Sequence, residues 1–329
     1  MQDTFRFLLI ILPFTAFVNT HHPLSSAVHR VRLWGARHTS KVAYHTNVTT
    51  EVYSWGDARL PQLLREIPER DRPQKFYIKG SLPPSDALIV AVVGSRHPTS
   101  DALRASEHLG SALARAGVVV ASGLALGCDA ASHKGALAAG GHVIAVLGSG
   151  CDDASLSPKT NLELAHRVQN QGCLLSEYPD GTPPAPWQFP ARNRFIAGIS
   201  RAVIVVEAGE KSGSLITARL ALDYGRDVYA LPSSVWSNHG SGTNMLIHMG
   251  ATIVPSIAQL LIDLGLTPEP SRASQHPHAS LLALLSSPRS LDELLNIITI
   301  PRVDLLTLLT MLEIEGAVRA EHGKYIATL

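Results

Sequence analysis

The sequence predicts an α/β protein: an extended, Rossmann-like, doubly wound parallel sheet followed by a small C-terminal winged-helix module. Three observations lead there. Seven short apolar runs rich in β-branched residues recur between residues 88 and 254. Segments of helical character separate most of them. Glycines and hydroxyl residues cluster where the runs end. Near-continuous apolar strands alternating with helices are buried on both faces, the signature of a parallel sheet with helices above and below.

Residues 1–81 read as an atypical N-terminal segment, partly helical and partly without fixed structure. Within it, 7–18 (FLLIILPFTAFV) is apolar, but too short to span a membrane and interrupted by Pro13. No small-residue cleavage pattern follows it. Residues 20–50 show no periodicity. Leu60, Leu63, Leu64 and Ile67 then fall at helical spacing, and 76–79 form a short extended piece.

Residues 82–265 form the expected Rossmann-like domain. Its strands are 88–93, 118–121, 142–147, 173–175, 202–206, 228–231 and 252–254. Its helices are 100–115, 129–139, 159–171, 192–200, 214–224, 243–249 and 256–264. Residues 266–280, rich in Pro, Ser and His, read as a linker. In 281–329, helical stretches at 281–285, 291–298 and 303–315 precede a hairpin-like 316–326, which suggests a winged helix-turn-helix module.

The 28 Lys+Arg and 27 Asp+Glu leave a net charge of +1, and hydrophobic residues make up 45%. That composition excludes a chain dominated by disorder. By region the charge is +5 over 1–81, −2 over 82–265 and −2 over 266–329. An anion site in the central region must therefore be a local cluster, not a basic face. Cys128, Cys151 and Cys173 have neither metal-ligand nor disulfide-framework spacing and read as buried thiols of a reducing compartment. No metal or cofactor is expected.

Ligands of such sheets bind beyond the carboxyl ends of the strands. There the sequence places Gly94-Ser95-Arg96, the Ser122–Asp129 stretch with Gly123, and Gly148-Ser149-Gly150. Glycines let a backbone approach phosphate, and helix-start amides bind it. The dinucleotide fingerprint and the Walker pattern are both absent. Arg192-Asn193-Arg194 stands before an apolar helix; its arginines either contact a ligand or brace the helix start through Glu177 or Glu207. Ser212, Gly213, Ser214 and Thr217 open the next helix as an N-cap or a second phosphate cradle. Lys159 adds a charge at a helix start. Asp129 and His133 read as a structural cap and a packed imidazole, and no nucleophile–base pair stands out.

Taken in order, several motifs resemble those of the DprA/Smf family of DNA-processing proteins. They are Ile89-Val-Ala-Val-Val-Gly-Ser-Arg96, Ser122-Gly-Leu-Ala-Leu-Gly-Cys-Asp129, Phe189-Pro-Ala-Arg-Asn-Arg194, Ser212-Gly-Ser-Leu-Ile-Thr-Ala218 and Gly242-Thr-Asn-Met-Leu-Ile247. The resemblance implies non-catalytic binding of single-stranded DNA by a cytoplasmic homodimer that loads the RecA recombinase during natural transformation. It places Arg96 and Lys159 in the DNA pocket, with Asn161, Arg192, Arg194 and the 212–217 helix start beside them. The family's usual Tyr-Pro and Pro-Gly are replaced by Ser157-Pro158 and Pro232-Ser233, and residues 1–50 do not match its N-terminal domain. The competing reading is a nucleotide-processing enzyme akin to the phosphoribohydrolases. Their Pro-Gly-Gly-x-Gly-Thr motif is missing here. With few basic residues in 303–314, the C-terminal module is expected to contact protein rather than read DNA sequence.

Overall fold

A computed structural model describes residues 48–268 and 277–328; the apolar run 7–18 and most of the expected linker lie outside these. All seven expected strands form and stand parallel in one sheet. They are β3 (Ile89–Val93), β4 (Val119–Ser122), β5 (Val143–Leu147), β6 (Gly172–Ser176), β7 (Ala202–Val205), β8 (Asp227–Ala230) and β9 (Thr252–Ile253). Two earlier strands extend the sheet. β2 (Lys75–Gly80) pairs antiparallel with β6, and β1 (Glu51–Ser54) pairs antiparallel with β2. The order is β1-β2-β6-β5-β4-β3-β7-β8-β9, so residues before 82 belong to the same sheet.

Alternation along each strand divides the core into two layers. Val90, Val92, Val120 and Ala145 face the helices α1 (Ser100–Arg115), α2 (Cys128–Ala138) and α3 (Leu162–Gln171). Ile89, Ala91, Val93, Ile144 and Val146 face α4 (Gln188–Ile199) and α5 (Ser214–Asp223). The second layer also holds Leu60, Leu64 and Ile67 from a short 3-10 stretch. That stretch is tied to the helices by side chains: Arg226 donates to Glu66 and, at 2.8 Å, to the Leu63 carbonyl, and Tyr224 donates to Asp71 at 3.0 Å. The shorter helices α6 (Ser241–His248) and α7 (Ile257–Asp263) complete the region.

The strand order reverses at β3, whose neighbours β4 and β7 lead to opposite halves of the sheet. That reversal opens a crevice beyond the carboxyl ends of β3 and β7. Some expected boundaries move: α4 begins at Gln188 rather than near residue 192, so Arg192 and Arg194 lie within the helix and not before it, and α3 begins at Leu162 after a 3-10 turn at Lys159–Asn161. Pro190 is tolerated there because the first turn of a helix has no intrahelical use for its missing N–H.

The C-terminal residues form α8 (Ala279–Leu284), β10 (Arg289–Ser290), α9 (Leu291–Leu295), α10 (Arg302–Ile314), β11 (Val318–Glu321) and β12 (Lys324–Ala327). Ser290 and Glu293 build a capping box at the start of α9. His322 and Gly323 both take positive φ, which suits the tight turn between β11 and β12. Leu282, Leu285, Leu294, Leu305 and Leu309 fill a separate core.

α1 and α2 pack backbone to backbone through Gly110 and Gly135. A Cβ on Gly135 would lie 1.9 Å from the Glu107 carbonyl oxygen. Gly135→Ala is therefore expected to cost about 1–3 kcal/mol, read as a lower urea midpoint in a chemical denaturation series.

Candidate functional site

The crevice is a cavity of about 810 Å³ between the turn after β3, the start of α4 and the start of α5. Two side chains make its floor, and each is held by the chain ends around it.

Arg192 is 4% exposed. Its guanidinium donates to the carbonyls of Gly123 (2.8 Å) and Val146, at the ends of β4 and β5, and to Asn193 Oδ1 at 3.2 Å. Asp129, also buried, accepts from the amides of Gly123 (3.1 Å) and Ala125 (3.4 Å). Burial raises the Asp129 pKa, and the nearby Arg192 charge opposes that rise. Burial lowers the Arg192 pKa to about 10, against the pull of Asp129. Gly123 has no room for a side chain: a Cβ would sit 2.5 Å from an Arg192 nitrogen and 2.8 Å from Asp129 Oδ2.

The rim is different. Arg96 is exposed and lies over the Phe189 ring, 5.5 Å from its centroid, in cation–π range. It makes no ion pair or hydrogen bond with any described side chain. Lys211, at the start of the turn into α5, is likewise exposed and unpaired among the described residues. Ser212, Gly213, Ser214 and Thr217 all line the cavity beside it. The Ser212 and Ser214 hydroxyls are 2.8 Å apart, and Asn193 Nδ2 donates to the Gly213 carbonyl at 3.3 Å. Two free cations, four hydroxyl side chains (Ser95, Ser212, Ser214 and Thr217) and the first turn of a helix face one space whose single acid, Asp129, is buried. Such a rim accepts phosphate oxygens.

The remaining expected residues divide between the cavity border and the framework. Gly94 borders the cavity because only a glycine fits there; a Cβ would sit 2.6 Å from Cys128 Sγ. Gly148 and Gly150 stand outside the lining and allow close packing on Gln188 and Pro179. The structure does not bring Lys159, Asn161 or Arg194 to the cavity. Lys159 Nζ donates to the carbonyls of Asp153 and Ala154, each at 2.7 Å. Asn161 Nδ2 donates to the Leu124 carbonyl at 2.9 Å, bracing a loop in which Leu124 has positive φ. Arg194 forms a bidentate pair with Glu177, at 3.0 and 2.6 Å, and donates to the Asp71 carbonyl. Lys211 and Phe189 are the functional candidates that sequence reasoning passed over. Phe189 opens a quoted motif, and Lys211 adjoins Ser212.

Burial raises the pKa of each of the three described cysteines, so none is an activated thiolate. Burial pushes the Cys128 thiol up to about 11. The Glu207 carboxylate is occupied by the backbone amide and hydroxyl of Thr99. Among the described residues no cluster of His, Cys, Asp and Glu could hold a metal ion.

The fold and the rim together define a Rossmann-like protein with a crevice lined by cations and hydroxyls at its switch point. The chain belongs to the DNA recombination-mediator protein A family, whose model matches residues 51–265. It is 44% identical over 216 residues to protein Smf of Synechocystis, covering 64% of this chain and 53% of that one. It is 40% identical over 195 residues to the DNA processing protein DprA of Bacillus subtilis, covering 59% and 65%. The chain thus spans between half and two thirds of the length of these relatives.

Two solved structures agree. DprA of Streptococcus pneumoniae superposes with a TM-score of 0.60 at 40% identity, covering 65% of this chain and 74% of that one. DprA of Helicobacter pylori, described for its single-stranded DNA binding mode, superposes at 0.58 with 30% identity, covering 68% and 98%.

Two outcomes test the floor. Arg192→Ala leaves two carbonyls and Asp129 buried without their cation and is expected to cost about 3–5 kcal/mol; Arg96→Ala, at the exposed rim, should leave the denaturation midpoint unchanged. His133, with its Nε2 3.3 Å from the Ile144 carbonyl, is held neutral by burial, its pKa pushed down to about 4. The unfolded chain takes up that proton near pH 6.5, so stability falls as pH drops from 6.5 towards 4, by up to about 3 kcal/mol. Urea midpoints measured across that window should decline less steeply in His133→Leu.

Proposed function

We propose that this chain binds single-stranded DNA without catalysis, through the switch-point crevice, and promotes RecA loading in natural transformation and recombination. The observation that carries the reading is the pair of unpaired cations, Arg96 and Lys211, beside the hydroxyl-rich start of α5. Family membership and the Helicobacter pylori relative described for single-stranded DNA binding support the same ligand class. Of the residues read from sequence, Arg96, Ser212, Gly213, Ser214 and Thr217 contact the DNA; Arg192 shapes the floor, and Lys159, Asn161 and Arg194 hold the framework.

The protein works as a cytoplasmic homodimer in this reading. Among the described residues no helix is long and apolar enough to cross a membrane. Met245, Met249, Ile253 and Ile262 are exposed around the β9 edge, which favours self-association there. Residues 281–329 act as a winged-helix-like module that contacts protein. Their helix α10 carries one basic residue, Arg302, which is engaged by Asp292 at 2.9 Å, while Val303, Leu306 and Ile314 are exposed.

Filter binding with oligo(dT) tests the reading. Affinity should exceed that for duplex of equal length. Because few phosphates are neutralised, the slope of log affinity against log salt should be shallow, about −1 to −2. Arg96→Ala should weaken binding about ten- to hundredfold, the worth of one charge-assisted contact. Absence of binding by the wild type at low salt refutes the proposal.

A further inference from the structure

Two tryptophans project from the loop segments that border the crevice. Trp236 is 92% exposed and Trp187 65% exposed, unusual for the largest apolar side chain. Each is next to cavity-lining residues. Trp187 lies between Pro186 and Phe189, and Trp236 stands two residues before Asn238 and three before His239.

The segments that carry them are fixed. Trp187 leaves part of its ring free while Tyr178 packs against it edge-on, at 6.1 Å and 83°. The Trp236 loop is pinned at its base by Asn244, which accepts from the Ser233 amide at 3.0 Å and donates to the Ser233 carbonyl at 2.9 Å. A turn from Ser234 to Ser237 then fixes the segment that carries the indole. Neither ring is left bare by the mere mobility of a loop.

Resting on the single-stranded DNA reading above, we infer that Trp187 and Trp236, each carried on a segment that borders the crevice, are base-stacking platforms. Arg96 and Lys211 hold the backbone between them, and unpaired bases lie against the indoles. The occupant is single-stranded, because only unpaired bases present a free face to stack on. Aromatic surface placed beside cations is the arrangement that binds single strands with little regard to sequence. Duplex DNA would meet the cations but not the rings.

The test uses the full chain and oligo(dT) of fixed length, with and without abasic sites. Trp187→Ala and Trp236→Ala should each weaken wild-type affinity about five- to hundredfold, the range for losing one stacked base. Abasic substitution should cost the wild type a similar factor and cost the double variant little. Trp187→Phe and Trp236→Phe should recover most of the loss, since phenyl rings still stack. Oligo(dT) should quench the tryptophan fluorescence of the wild type. That quenching should disappear in the Trp187→Phe/Trp236→Phe protein, which retains Trp34 and Trp55.

If the alanine variants bind as well as the wild type while Arg96→Ala does not, the stacking role is wrong and the crevice reading survives. If the wild type itself does not bind, both fall. Equal weakening by the alanine and phenylalanine variants would also overturn the stacking role.

Discussion

The buried guanidinium of Arg192 is the interaction on which the site depends. Parallel strands end in carbonyls that point towards the crevice, and uncompensated they would repel a phosphate. Arg192 reaches from α4 across the sheet to the carbonyls of Gly123 and Val146, and so removes that negative edge from the floor. Its charge also makes the burial of Asp129 tolerable, and Asp129 in turn orders the amides of Gly123 and Ala125. Gly123 completes the set by lacking a side chain where both groups converge. Because this cation is consumed in structure, the cations that meet solvent have to come from elsewhere.

The division between a consumed and a free arginine was only half legible in the sequence. Strand positions could be read because burial on both faces demands apolar residues at every position, as in Ile89–Val93. The extended piece at 76–79 became β2, but its antiparallel place on the free edge of β6, and the pairing of β1 beside it, are tertiary facts that the pattern does not carry. The start of α4 was hidden by Pro186 and Pro190, which read as loop residues until the helix turn is built. Arginines two apart on a helix must point to different surroundings. Which of Arg192 and Arg194 would meet the cavity was therefore open. In the fold neither presents a free charge: one lies on the floor and the other pairs with Glu177.

Lys159 and Asn161 illustrate the same limit. Their motif position suggests a ligand role, yet the loop that follows Gly150 supplies carbonyls close enough to satisfy the Lys159 ammonium. Asn161 is taken by a strained loop turn at Leu124. Long polar side chains are decided by the acceptors nearest them in space, and a pattern of residues along the chain does not record those. Lys211 was passed over for the converse reason. Nothing along the chain marks it; what does is that in the fold it makes no ion pair or hydrogen bond among the described residues.

Charge then sets how a polyanion can be gripped. The region 82–265 carries a net charge of −2, so at long range it offers no attraction to a nucleic acid. Two rim cations and one helix start neutralise only a few phosphates, and the electrostatic part of the affinity is correspondingly small. A protein so built must draw the rest of its binding energy from contacts that salt does not screen. Aromatic surface supplies such contacts: half-buried Phe189 lines the crevice, and exposed Trp187 and Trp236 stand on segments that border it. In the proposed reading, near-neutral charge and exposed tryptophans are two sides of one solution: selectivity for unpaired bases would take the place of a basic face.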